Sequence, residues 1–285
     1  MSRADLLRGL GALCERPGPE TARLTEALEL PAPGDPADET ATFLFDVYPF
    51  ASVYLGDEGM LGGEARDRIA GFWRALGLVP PAEPDHLASL LGLLASLADL
   101  EDREDDPAKR LLRREARCAL LWEHLLAWTG PFLAAVERVG TDHQVAWAGA
   151  VRAALAAEAD DLGRPDLLPV ALRAAAPPPA DAAGVLAVAT APVRTGIVLT
   201  RTDVVRGARA VGVGIRMGER AYALRAMAEQ DLRATVAWLG EEAARQAVIH
   251  GVGPVDADAV AGWWLARAER TARTITEEVT AHVAG

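Results

Sequence analysis

The sequence predicts an all-α protein, a helical bundle followed by a C-terminal helical extension. Hydrophobic residues make up 51% of the chain but aromatic residues only 5%, and this alanine- and leucine-rich mix favours helices. Apolar residues recur at helical spacing through most of the chain, and no segment sustains the two-residue alternation of a strand. The 285 residues suffice for one or two domains with buried cores.

The clearest helix is predicted by a leucine stripe in the first half of the chain. Its members share one helical face and are Leu87, Leu90, Leu91, Leu94 and Leu97. Pro84 and Asp85 precede the stripe as a start signal, and Pro107 follows it as a stop signal. A shorter helix before it is predicted from Ile69, Phe72, Trp73 and Leu76.

The next helix is predicted from apolar residues at Leu111, Cys118, Trp122 and Leu125. We expect it to end near Gly130 and Pro131, because proline disrupts a helix interior. Thr141 or Asp142 is then placed to cap a further helix.

The best domain boundary is the segment AAAPPPADAAG at 174–184, because consecutive prolines favour an extended spacer. We therefore predict a helical core over 1–173, a linker over 174–184 and a helical region over 185–285 that packs on the core. Helical patterns in this last region cover Asp203–Val211, Glu219–Glu229, Leu232–His250 and Asp256–Val283.

Charge is unevenly distributed along the chain. The net charge is −12, and residues 35–106 alone carry 16 acidic against four basic side chains. Residues 194–225 have the opposite bias, with seven arginines against two acidic residues. The acidic total argues against a general nucleic-acid binder and suits a basic partner.

Other features predict a cytoplasmic protein without a membrane span. No stretch approaches the ~20 apolar residues that a transmembrane helix needs. Charged residues are spread through the first 15 positions, unlike a secretory signal. Cys14 and Cys118 are far apart in sequence and are interpreted as reduced, buried thiols.

No motif predicts catalysis, so we expect neither enzyme activity, nor a metal, nor a cofactor. The five histidines do not occur in HExxH or a comparable ligand spacing. The sequence contains no GxSxG elbow and no GxxxxGK[ST] phosphate loop. A small-molecule enzyme therefore has no motif in its favour.

Two unusual segments leave alternatives open. The aromatic segment 48–55 (YPFASVYL) is either a loop packed into the core or a rigid surface for peptide contact. In the segment 83–87 (EPDHL), Asp85 either caps the following helix or forms with His86 a polar pair at the rim of an apolar groove.

Three blocks, in order and at matching spacing, carry a family resemblance. They are PFASVYL at 49–55, EPDHL at 83–87 before the leucine helix, and WEHLLAWTGPF at 122–132. The chain thereby resembles the TorD/DmsD/NarJ family of molybdoenzyme-maturation chaperones, whose corresponding patterns are P-Y-E-S-V-Y-L, E-P-x-D-H-L and H-L-x-x-W…P-F. The resemblance covers about residues 40–140.

The resemblance implies a TorD-like all-helical cytoplasmic chaperone and not an enzyme. Its implied partner is the apo catalytic subunit of a DMSO-reductase-type molybdopterin oxidoreductase, often bound through a twin-arginine signal peptide. The chaperone would assist cofactor insertion and prevent premature export, as a monomer or a dimer. The expected client-peptide site comprises Tyr48, Phe50, Ser52, Tyr54, Glu83, Pro84, Asp85, His86, Leu87, Trp128 and Phe132.

A DNA-binding regulator is the alternative. The arginine-rich segment 194–225 contains a pattern like a helix-turn-helix, with a capped short helix, glycines near a turn and a second helix. A solvated helical hairpin, or an arginine face that packs on the acidic first half of the chain, explains the same pattern.

Overall fold

The computed structural model describes residues 2–216, 218–251 and 259–284, and it confirms the all-α class. Within these residues there is no β-strand, only an isolated antiparallel bridge between Phe50 and His86. The chain forms two compact units. Unit 1 comprises Met1–Ser52 and Leu61–Ala171, and unit 2 comprises Val53–Met60 and Leu172–Gly285.

In unit 1, the neighbouring helices pack around one central helix, α6 (Leu87–Asp102). Its helices are α1 (Arg3–Ala12), α2 (Thr21–Ala27), α3 (Pro36–Ala41), α5 (Gly63–Ala75), α6 (Leu87–Asp102), α7 (Pro107–Ala119), α8 (Ala127–Val139) and α9 (Asp142–Leu162). Helix α4 (Ala51–Leu55) begins in unit 1 and ends in unit 2, and α10 (Val170–Arg173) also crosses the division. The predicted leucine stripe lies on α6 and is buried.

Two π-helical segments interrupt the α-helices of unit 1. The first, Thr42–Asp46, follows α3, and the second, Leu120–Leu126, joins α7 to α8. The predicted helix end at Gly130–Pro131 is wrong, because the helix continues through Pro131 to Val139. Pro131 comes five residues after the π-helical segment ends, and such wide turns often accompany an irregular hydrogen-bond ladder.

The continuous helix Pro107–Val139 is long and apolar enough, by length and composition, to cross a membrane. However, 78% of its most apolar 18-residue window is buried inside the protein. A helix covered in this way is a core helix, because a membrane-spanning helix would turn much of that surface to lipid.

Charged residues from four helices meet in the interior of unit 1. Arg117 on α7 is fully buried and pairs with Glu101 on α6 and with Glu158 and Asp161 on α9. Arg3 on α1 also reaches Glu158, at 3.4 Å. Burial raises the pKa of Glu158, and the positive charges of Arg117 and Arg3 oppose that effect.

Unit 2 has a core of its own. Its helices are α11 (Ala182–Ala187), α12 (Pro192–Thr195), α13 (Arg201–Val211), α14 (Arg220–Gln230), α15 (Leu232–His250) and α16 (Ala259–Ala284). Buried apolar residues from these helices form one cluster, which includes Val185, Leu199, Val204, Met227, Leu239 and Ile275. The predicted helix start at Asp256 lies outside the described residues. Residues 182–184 of the predicted linker belong to α11.

The predicted helical pair in the arginine-rich segment is present, and two of its arginines, Arg206 and Arg220, contact other residues of unit 2. Thr200 caps α13 with a capping box, and Gly212 ends that helix in the left-handed conformation. Arg206 pairs with Asp203 and Glu242, and Arg220 donates to the carbonyl oxygen of Leu199 at 2.7 Å. The partners of these two arginines all belong to unit 2 and not to the acidic residues 35–106.

Candidate functional site

The two unusual segments found in the sequence lie side by side in unit 1. The backbone N–H of Ala51 donates to the carbonyl oxygen of Asp85 at 3.0 Å, and the N–H of Leu87 donates to that of Pro49 at 2.8 Å. The ring of Phe50 meets the ring of His86 edge to face, with centroids 4.7 Å apart. This short ladder joins segments more than 30 residues apart and orients both aromatic side chains.

The buried side chain of Asp85 stabilises this junction between segments 48–55 and 83–87. Its carboxylate accepts from the backbone N–H of Ser52 at 3.1 Å, and its side chain is buried. Since Ser52 lies in the first turn of α4, Asp85 satisfies an N–H that the helix itself leaves without a partner. The capping of α6 predicted for Asp85 is therefore wrong, while its expected part in client-peptide binding stays a prediction.

His86, rather than Asp85, caps the leucine helix. Its Nδ1 accepts from the backbone N–H of Ala88 at 3.1 Å. Burial lowers the pKa of His86, while the nearby carboxylates of Glu83, Glu15 and Asp85 act in the opposite direction. An imidazole that accepts at Nδ1 and is disfavoured as a cation is the neutral form near pH 7, with its proton on Nε2.

A pocket of about 460 Å³ opens beside this junction. Its lining comes from the end of α1, the α3 region, the first π-helical segment and the two ladder segments: Cys14, Glu15, Arg16, Pro17, Glu39, Thr40, Phe43, Leu44, Pro49, Phe50, Glu83 and His86. Burial raises the pKa of the Cys14 thiol, so this pocket residue is an unreactive thiol. The pocket is thus largely apolar, with charged groups at its edge.

The carboxylates of the pocket differ in their availability. Glu39 is buried and accepts from the N–H of Gly34 at 3.0 Å and from the hydroxyl of Thr141 at 2.7 Å, so it serves the fold. Glu15 and Glu83 are exposed and have no ion pair among the described residues. These two carboxylates are available to a cationic ligand.

In residues 35–106, fewer carboxylates are free of arginine partners than the charge count of the sequence suggests. Many of its carboxylates pair with arginines of unit 1, as in Asp99 with Arg8 at 2.6 Å and Glu104 with Arg113 at 2.5 Å. Glu101 pairs with buried Arg117.

Trp128 and Phe132 are buried behind the pocket and do not line it. The Trp128 Nε1 donates to the carbonyl oxygen of His124 at 2.8 Å. The Phe132 ring packs near Trp128, Trp147 and Phe43, at centroid distances of 5.4, 6.2 and 6.4 Å. Phe43 faces the pocket, so these residues support its wall.

The remaining predicted site residues are divided between the units. Ser52 is buried and its hydroxyl accepts from the N–H of Gly62, while Pro84 accepts from the Trp73 Nε1. Leu87 is buried, and Tyr48 is half-buried outside the pocket lining. Tyr54 is buried and belongs to unit 2, so the structure does not bring it into the pocket of unit 1.

Sequence reasoning missed the pocket residues that come from other elements. Cys14, Glu15 and Arg16 follow α1, and Phe43 and Leu44 lie on the first π-helical segment. No spacing in the sequence links these positions to EPDHL, because only tertiary packing brings them together. The nearest available indication of this pocket was the pair of exposed apolar residues Leu44 and Phe45, which stand beside acidic residues in the sequence.

The free energy of unfolding is expected to depend on pH through His124, a residue of the third sequence block. Burial lowers the pKa of His124 to about 4, with a smaller effect from Arg68. The unfolded chain takes up this proton near pH 6.5, so between pH 6.5 and 4 unfolding is favoured by proton uptake. We expect wild-type protein to lose about 1.4 kcal/mol per pH unit more than His124→Gln over this range, measured by urea unfolding. Equal slopes for the two proteins would contradict this assignment.

Among the described residues, no group of three or more His, Cys, Asp or Glu side chains is placed to hold a metal ion. Residues 37–134 match the family model described as nitrate reductase delta subunit. No curated protein matches the chain. The matched region contains all three sequence blocks, and the match confirms the predicted resemblance.

The matched family consists of chaperones for molybdoenzyme maturation that work with the catalytic subunits of these enzymes. The match includes the ladder, the first π-helical segment and most of the pocket wall, whereas unit 2 lies largely outside it. Over residues 37–134, the chain is therefore similar to the nitrate reductase delta subunit family.

Proposed function

We propose that this protein is a cytoplasmic, client-specific chaperone whose unit 1 pocket binds a basic, apolar segment of an apo molybdopterin oxidoreductase subunit of the DMSO-reductase type. The segment is a twin-arginine signal peptide or a leader of the same chemistry. By holding it, the chaperone keeps the subunit competent for cofactor insertion and delays its export. The proposal requires no catalytic step.

The observation that carries the proposal is the combination of an apolar pocket with two unpaired carboxylates. Phe43, Leu44 and Phe50 supply the apolar wall, and Glu15 and Glu83 supply negative charge at the edge. Paired arginines followed by an apolar helix have the complementary pattern. Arg16 also lines the pocket, so its edge carries charge of both signs, with the two exposed carboxylates outnumbering this one cation.

Isothermal titration calorimetry with a synthetic peptide tests this proposal. The peptide carries two adjacent arginines before a leucine-rich helix, and its control has glutamine in place of both arginines. We expect Glu15→Gln with Glu83→Gln to weaken binding by about 5- to 30-fold, since exposed ion pairs contribute about 0.5–1 kcal/mol each. Glu26→Gln, an exposed carboxylate outside the pocket, is the matched control.

Phe50→Ala tests the apolar wall in the same assay. We expect at least a tenfold loss of affinity, because a truncated aromatic anchor commonly costs about 2 kcal/mol. Tyr222→Ala, which removes an exposed aromatic side chain in unit 2, is the control. If both pocket variants bind the peptide as tightly as wild type, the pocket is not the client site.

Asp85 is expected to act on binding without touching the peptide. Asp85→Ala removes the acceptor for the Ser52 N–H and should release Phe50 from its position, lowering affinity and destabilising the fold by about 1–3 kcal/mol. Asp85→Asn retains an acceptor oxygen and should restore most of both properties. If Asp85→Asn were as weak a binder as Asp85→Ala, the carboxylate charge rather than its positioning role would be responsible.

A further inference from the structure

Unit 2 contains a larger apolar groove that the family match does not cover. It has a volume of about 680 Å³ and lies between α11, α14, the start of α15 and the end of α16. Buried Leu224 and Val236 form its floor. A groove of this size and composition is in the range of ligand and peptide sites.

The rim of the groove exposes apolar surface that the unit leaves uncovered. Leu232 is 58% exposed, and Ala183, Ala187 and Ala221 are exposed around the opening. Ala183 and Ala187 are four residues apart on α11 and therefore share one helical face. Alanine at these positions lets a second helix approach closely, within the 8–10 Å axis separation of packed helices.

Two cations flank this apolar surface. Arg225 on α14 and Arg233 on α15 line the groove, are exposed, and have no ion pair among the described residues. The third charged residue, Glu278, is engaged, because its carboxylate accepts from the N–H of Ala182 at 2.7 Å. The two arginines outnumber this single carboxylate, so the lining carries a net positive charge.

We infer that this groove is a docking site for an amphipathic helix of a partner polypeptide whose apolar face is flanked by acidic side chains. Leucine-sized side chains of that helix enter between α11 and α14, and its carboxylates pair with Arg225 and Arg233. This chemistry is opposite in charge to that of the unit 1 pocket. The chain would thus hold two peptide segments of different character.

A helix fits the observations better than a small apolar acid. Leu232 and both arginines at the opening are exposed to solvent, whereas a fatty acyl chain is normally enclosed by its site. The alanines on α11 present a surface for helix packing rather than a deep channel. Arginine at the edge pairs well with carboxylates of a docked helix.

Fluorescence anisotropy on the full chain tests the inference. The probe is a helix-stabilised synthetic peptide with leucine and alanine on one face and glutamate along both flanks, and its counterpart has lysine instead of glutamate. We expect the lysine peptide to bind at least tenfold more weakly. Charge reversal at Arg225→Glu with Arg233→Glu should weaken the glutamate peptide by at least tenfold and favour the lysine peptide.

Filling the groove provides a second, independent variant. Ala187→Trp places a large side chain at an exposed position in the opening, so we expect the fold to persist and peptide binding to be lost. Matched controls outside the groove are Arg209→Glu and Ala210→Trp, both exposed on α13. Circular dichroism confirms that each variant is folded.

Three outcomes would overturn the inference: no binding of the glutamate peptide, binding unchanged by the groove variants, or competition for the groove by decanoate without peptide binding. Titration of the arginine-leucine peptide is performed in parallel. Because that peptide binds in unit 1, the groove variants should leave its affinity unchanged. Failure of the acidic helix and failure of the proposed client site are therefore separate results.

Discussion

Replacing Arg117 with methionine is expected to lower the free energy of unfolding by about 3–5 kcal/mol, because it leaves buried carboxylates without their cation. Arg117 joins Glu101, Glu158 and Asp161 across three helices, and its side chain is fully buried. Methionine fills a similar volume, so the loss reports the charge rather than a cavity. Urea unfolding at pH 7 measures it.

The same variant should recover part of its stability at lower pH. Burial already raises the pKa of Glu158, and removing Arg117 takes away the main opposing charge, so the pKa should rise further. A carboxyl whose folded pKa exceeds its unfolded value contributes stability that is lost as the pH rises. We therefore expect the deficit of Arg117→Met relative to wild type to be smaller at pH 5 than at pH 7.

The control is Arg152→Met, which removes an exposed ion pair with Glu137. Such pairs contribute about 0–1 kcal/mol, so the control should unfold nearly as wild type does. A similar small effect for Arg117→Met would show that the buried network is not needed for stability.

Gly59→Ala is expected to destabilise the protein by about 3–5 kcal/mol, because two costs combine. Gly59 has a φ of 64°, a left-handed conformation that side chains disfavour. An added Cβ would overlap the carbonyl oxygen of Thr190 and lie 2.7 Å from the Cα of Ala191. These neighbours are backbone atoms, so unit 2 cannot adjust by a side-chain rotation.

Gly212→Ala separates the two costs. Gly212 also lies in unit 2 and has a φ of 80°, but a Cβ there would meet nothing within 4 Å. We expect Gly212→Ala to lose about 1–2 kcal/mol, the conformational cost alone. Thermal unfolding of the two variants compares them, and equal losses would mean that the segment 53–60 does not pack as the structure shows.

The Gly59 prediction also bears on the proposed function. The first sequence block begins in unit 1 at Pro49 and continues into unit 2 from Val53. Gly59→Ala disturbs the unit 2 end of this segment, at a distance in sequence from Phe50. A loss of client-peptide affinity in this variant at temperatures where it stays folded would show that the segment transmits strain to the pocket.

Asp85 illustrates how far residue patterns could be interpreted. The EPDHL block correctly indicated a helix start, but Asp85 is not the residue that caps that helix. Its carboxylate instead satisfies the first turn of α4, 33 residues earlier in the chain. A contact at that separation leaves no periodicity in the sequence, since it depends on how two loops are brought together.

Pro131 illustrates a second limit. Local propensity predicts a helix end there, yet the helix continues to Val139 with π-helical turns just before the proline. The burial of Trp128 and Phe132 on the same helix favours its continuation, and tertiary packing outweighs a local cost of a few kcal/mol. The predicted domain boundaries were based on composition. They placed residues 53–60 in the first domain, whereas the structure groups these residues with unit 2.

The sequence by itself determined the all-helical class, the family resemblance of residues 37–134 and the two segments that meet beside the pocket. These properties depend on helical periodicity and on short motifs, and both are local. Only the tertiary structure decided which carboxylates are available to a ligand, that Trp128 and Phe132 support the pocket from behind, and that unit 2 carries a groove of its own. Those properties depend on burial and on ion pairs between distant residues, and a linear charge count cannot contain them.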